Sequence, residues 1–105
     1  MIKVVLKYSS NCIDSIDISG HANFSDFGKD IVCASVSSIV ITSVNAIIRL
    51  DSESISYDMS NGIFISILKH NKVTDVLIDN MVSLLKDLEK QYKKNIIISE
   101  EVCSC

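Results

Sequence analysis

A chain of 105 residues is one domain, too small to divide into a catalytic and a binding domain, so any active site sits on the surface of a single small fold. With 48% hydrophobic and 22% charged residues, and neither tryptophan nor proline, the composition is globular and not disordered. A formal net charge of −3 argues against nonspecific nucleic-acid binding, which needs lysine and arginine to neutralise phosphates, and leaves a basic peptide as a tolerated partner.

Ile2, Val4, Leu6 and Tyr8 alternate with Lys3, Val5, Lys7 and Ser9, the period of a half-buried strand. A turn at Ser9-Ser10-Asn11 leads into a second alternating run around Ile16, Asp17 and Ile18, so the chain opens with a β-hairpin ending at Gly20. Residues 21–30 have a loop composition around Phe24 and Phe27, read either as a substrate-contacting lid or as two anchors stapling the loop to the core. From Ile31 to Ile48 there is no charge, a length near that of a membrane span. Interrupting serines, Thr42 and Asn45, with Val36, Ile39, Val40, Val44, Ile47 and Ile48 at helical spacing, predict instead a helix buried on two sides, one on a sheet and one on a second copy of the protein.

Ile55, Tyr57 and Met59 alternate with polar residues, and Asn61-Gly62 is a strong hairpin signal before Ile63 to Leu68. Asn71 is a candidate N-cap for a helix with Val73, Leu77, Met81, Leu84, Leu85, Leu88 and Tyr92 on one stripe. Asn95 then turns the chain into a short strand, Ile96-Ile97-Ile98, and residues 101–105 read as a frayed tail. The order is ββαββαβ, an α/β two-layer sandwich with two helices packed on a mixed or antiparallel sheet.

Cysteines stand at positions 12, 33, 103 and 105. The start MIKVVLKYSS lacks the apolar core of a signal peptide, so the expectation is reduced thiols in the cytoplasm. Cys103-Ser104-Cys105 is too closely spaced for a zinc knuckle and has no second ligand pair, and His21, Asp30 and Cys33 lack metal-ligand spacing, so no metal is expected. His70, just before the second helix, reads as a solvated loop residue.

Gly20-His21-Ala22 and Gly28-Lys29-Asp30-Ile31-Val32-Cys33-Ala34 are the segments that point to chemistry. A cysteine attacks as the thiolate, and an imidazole or a helix N-terminus can produce one. If Cys33 opens the long helix, free N–H groups, that of Ala34 included, stand ready for an oxyanion. Asp30 suits the helix N-cap or the role of an orienter of His21, with Asp26 a weaker rival; Ser37, one turn after Cys33, suits packing or hydrogen bonding. Gly20 leaves room for a substrate backbone or a φ > 0 turn, and Gly28 reads as a hinge.

These two segments, Ser37, and Ser43-Val44-Asn45-Ala46-Ile47-Ile48 in the same helix resemble the ribosomal-processing cysteine proteases, called Prp. The resemblance spans almost the whole chain and departs from the family pattern at Arg49 and in the tail from Glu100. It implies a small homodimer that removes the N-terminal leader of a large-subunit ribosomal protein by cutting after phenylalanine; no cofactor, direct nucleic-acid partner or membrane is expected. It further implies Cys33 as nucleophile and His21 as base. From their position in the loop alone, Phe24 and Phe27 are candidates to line the pocket for the substrate phenylalanine. Two rival readings are a non-catalytic ribosomal-protein-binding assembly factor, and a thiol redox sensor pairing Cys33 with Cys12 or the tail.

Overall fold

The structure, a computed structural model, describes residues 1–20 and 26–102, and for residues 26–30 the backbone alone. Strand β1 (Ile2–Ser9) turns into β2 (Cys12–Gly20) through Ser10 and Asn11, whose φ values of 53° and 66° are those of a two-residue hairpin turn twisted to match its strands. Lys7 pairs with Ser15 while Tyr8 pairs with Ile13, so Asp14 is an extra, bulged residue. The bulge is why Ile13 and Ile16, three positions apart, both reach the core.

Helix α1 (Asp26–Leu50) crosses to β3 (Ile55–Asp58), which pairs antiparallel with β4 (Ile63–Ile67). Helix α2 (Lys72–Gln91) then leads to β5 (Ile96–Val102), which runs parallel to β1. The sheet order is β3-β4-β2-β1-β5, so the expected two-layer arrangement of two helices on a mixed sheet is what forms. Each strand turns one set of side chains inward: Val4, Leu6, Ile16, Ile65 and Ile96 are fully buried.

The uncharged run packs through Val32, Val36, Val40, Val44 and Ile47, at three- and four-residue spacing. Its serines are tolerated because Ser35 and Ser43 return their hydroxyls to the carbonyls of Ile31 and Ile39, at 2.7 and 2.8 Å. The run is long and apolar enough to cross a membrane, but its buried stripe is part of the domain's own core. On the outward face Ile31 and Ile41 are exposed.

Three expectations need correction. Helix α1 starts at Asp26, so Phe27 and Gly28 lie in its first turn rather than in a loop, and Asp30 is an interior helical residue and not the N-cap. The buried stripe of α2 is Thr74, Ile78, Met81, Val82, Leu85 and Leu88; Val73 and Leu84 are exposed. Asn71 does cap this helix, its side-chain oxygen accepting from the Thr74 N–H at 2.9 Å, and the stripe follows from that start. Finally, β5 continues past Ile98 through Val102, because the unpaired side of β1 offers it a full-length partner: Glu101 pairs with Lys7 and Val102 with Tyr8. The tail therefore cannot begin at 101, and residues 103–105 lie outside the described residues.

Candidate active site

Cys33 lies two turns into α1, where a four-residue spacing brings Ser37 to the same face and Val36 close beside it. The face looks onto the end of the sheet where Ile2 pairs with Gly20 and Ile18 pairs with Ile63. Together with Ser19 and Gly62 these residues enclose a cleft of ≈ 200 Å³ whose walls are largely apolar. The structure thus brings together Gly20, Cys33 and Ser37, which the sequence separates. The Cys33 thiol is half-buried, packed against the core and free.

The two glycines let the backbone close around this cleft. Gly20 has φ 87°, and a side chain there would run into the Met1 carbonyl oxygen; Gly62 has φ 81°, and a Cβ would stand 2.7 Å from the Ile18 carbonyl oxygen. Ile2, Ile18, Val36, Gly62 and Ile63 complete the cleft but were not foreseen as site residues. Asn61-Gly62 carried a signal, read only as a turn.

His21, Ala22 and Phe24 lie outside the described residues, as do the side chains of Phe27 and Asp30. The chain does pass directly from Gly20, on the cleft rim, into His21. Ala34 faces elsewhere: it lines a broader ≈ 560 Å³ groove between α1 and α2, with Ile39, Leu84, Leu88 and Gln91. Helix α1 begins seven residues before Cys33, so the Cys33 and Ala34 N–H groups are interior to the helix, where N–H groups bond to the preceding turn. The expected help from a helix terminus is lost as well, since the dipole acts within the first turn. No candidate metal cluster occurs among the described residues.

Pairing of Cys33 with Cys12 is ruled out by distance. Cys12 starts β2 and Gly20 ends it, about 26 Å apart at strand rise, and Cys33 faces the Gly20 end. A disulfide needs Cα atoms within about 7 Å. A half-buried thiol opening into an apolar cleft can instead attack a bound carbonyl if a base takes its proton.

Known proteins share the sequence and frame of this chain. The family model described as cysteine protease Prp matches residues 1–97. The ribosomal processing cysteine protease Prp of Staphylococcus aureus (strain Mu50) is 36% identical over 88 residues, covering 80% of this chain and 83% of that protein. The protein of the same description from Bacillus subtilis (strain 168) is 30% identical over 111 aligned positions, covering 97% and 99%. Crystal structures of S. aureus Prp superpose with TM-scores of 0.82 with a substrate peptide and 0.81 with a covalently linked product peptide, at 31% and 33% identity, each covering 96% of this chain and all of theirs. With a family match over nearly its whole length and a sheet-and-helix frame shared with these proteases, the chain belongs to the cysteine protease Prp family.

Proposed function

We propose that the protein is a cytoplasmic endopeptidase that removes the N-terminal extension of a large-subunit ribosomal protein precursor, cutting after phenylalanine. Cys33 is the nucleophile and His21 its general base and acid. The observation that carries this reading is the cleft itself: a free thiol at its wall, apolar residues around it, and the chain running from its rim into a histidine. The S. aureus relative has been captured with a substrate peptide and with a covalently linked product peptide, which suits a nucleophile that bonds to its substrate.

In the first step the His21 imidazole takes the Cys33 proton, and the thiolate adds to the carbonyl carbon of the scissile bond. Return of that proton to the amine expels the mature protein and leaves the leader as a thioester on Cys33. Water, activated by the same imidazole, then hydrolyses the thioester. Because α1 offers no free terminus at Cys33, thiolate formation falls to His21. The Ser37 hydroxyl, in the same cleft, is a donor for the oxyanion. The substrate phenylalanine fits the apolar wall of Ile2, Ile18, Val36 and Ile63. The outward face of α1, uncharged from Ile31 to Ile48 and with Ile31 and Ile41 exposed, supports a homodimer.

The test is mass spectrometry of the precursor from the same organism after incubation with the enzyme under reducing conditions. One cut bond is expected, after phenylalanine, and none in a precursor with that phenylalanine changed to glycine. Tight binding without cleavage would favour the assembly-factor reading.

A further inference from the structure

The half of the sheet formed by β3, β4 and β2 turns its second face away from both helices. At its centre Phe64 is 42% exposed, although its strand neighbours Ile63 and Ile65 point inward. The register places Asp17 of β2 directly across from Phe64 on one side and Asp58 of β3 on the other, so the ring is flanked on the same face by two carboxylates. Strands β2, β3 and β4 and the turn from 59 to 62 contain no lysine, arginine or histidine, while Asp14 adds a third exposed carboxylate. On the neighbouring strand β1, the exposed Lys3 and Lys7 stand diagonal to Asp17 on this face, yet among the described residues no cation forms an ion pair with Asp17 or Asp58.

Asp58 is held ready for such a partner. Its Oδ1 accepts from the Ser60 hydroxyl at 2.7 Å and from the Ser60 N–H at 2.9 Å, which fix its position and keep its carboxyl below the usual range. An exposed aromatic ring between two carboxylates is the chemistry that receives a lysine or arginine side chain: the cation lies over the ring and its N–H groups reach the acids. The location gives the cation a source. Ile63, next to Phe64 on the same strand, and Gly62 both line the Cys33 cleft, so a polypeptide leaving that cleft around the sheet end arrives at Phe64 within a few residues.

We infer that Phe64, Asp17 and Asp58 form a docking surface for a basic segment of the substrate polypeptide beyond the cut bond. This rests on the reading of the cleft as a protease site acting on a ribosomal protein, since proteins that neutralise RNA phosphates are rich in lysine and arginine. The surface recognises the mature part of the precursor, while the cleft recognises the leader. Binding there raises the affinity of the whole precursor over that of its leader alone, and does so less as salt is added.

The experiment compares two substrates, the full precursor and a short peptide ending two residues beyond the cut bond, with wild-type protein, the variants Phe64→Thr and Asp17→Asn, and the variant that combines them. Both substitutions sit on the solvent face of strands and leave the cleft lining intact. For the full precursor KM is expected to rise about tenfold in the combined variant with kcat within about twofold, the combined size of an exposed cation–ring contact and surface ion pairs. For the short peptide neither constant changes, and in wild type only the full precursor shows a salt-dependent KM. Equal KM values in wild type and variant for the full precursor would overturn the proposal, as would the same rise for the short peptide, which would mean a distorted cleft. A shift of the variants from dimer to monomer in sedimentation would overturn it too, by showing that a second copy covers the face.

Fluorescence anisotropy with a labelled basic peptide from the mature segment separates this idea from the protease reading. Binding lost in Phe64→Thr supports the surface even if no cleavage occurs; cleavage without such binding leaves the protease standing and removes the surface.

Discussion

At Gly62 the backbone takes a φ of 81° within reach of the Ile18 carbonyl oxygen, so this residue decides how closely β4 approaches β2 at the cleft. Gly62→Ala is expected to cost more than about 1 kcal/mol, read as a lower urea midpoint with unchanged slope, because the new Cβ meets both an unfavourable φ and a backbone atom that cannot move aside. In the same turn Asp58 is held below the ordinary carboxylate range by the Ser60 hydroxyl first and the Ser60 N–H second. A carboxylate whose pKa falls on folding adds stability above its unfolded pKa and loses it as pH drops through the folded value. Ser60→Ala should therefore be less stable than wild type at neutral pH, and the difference should shrink as pH falls below about 4. A difference that stays constant down to acid pH would show that the hydroxyl acts through packing and not through the Asp58 charge.

Strand β5 has β1 on one side and an open edge on the other. The edge is blunted by Glu89 of α2, whose carboxylate accepts from the Ile98 N–H at 2.7 Å, while Lys86 holds Glu100 at 3.1 Å. Glu89→Ala should cost about 1 kcal/mol in chemical denaturation, the net worth of a partly exposed charge-assisted bond, and free an N–H that pairs with other strands. Increased aggregation on storage is the second readout; a variant as stable and as soluble as wild type would remove Glu89 from this role. Elements were legible where one periodicity ruled: the first hairpin, the Asn61-Gly62 hairpin and the Asn71 cap follow from local spacing alone. The start of α1 was not, because residues 26–30 are mostly charged and include a glycine, and their helical state comes from continuity with the apolar run behind them. The length of β5 was hidden for a different reason. Ser99-Glu100-Glu101 has poor strand propensity, and only pairing with β1 extends the strand there.

Across the whole molecule the site is a product of topology. The cleft collects residues far apart in the chain, Ile2 and Ile63, around Cys33, and no local pattern foretells that Ile18 pairs with Ile63. What the sequence did reveal were the residue types that the proposed chemistry requires, Cys33 and the Gly20-His21 step, and their resemblance to a family; the walls that would hold a substrate came from the fold. The same fold leaves α1 with an outer face that is uncharged from Ile31 to Ile48, where Ile41 is 46% exposed. Sedimentation at micromolar concentration is expected to give a dimer for wild type and a monomer for Ile41→Glu, since a buried unpaired charge opposes such an interface. A monomeric wild type would contradict this.

The most direct test is to map where a leader-derived peptide bonds when its scissile carbonyl is replaced by an electrophilic ketone. One adduct per chain on Cys33 is expected, absent in Cys33→Ala and formed far more slowly in His21→Ala. An adduct on Cys12 or the C-terminal thiols, or none on Cys33 while the precursor is still cut, would contradict the assignment of Cys33 as the nucleophile.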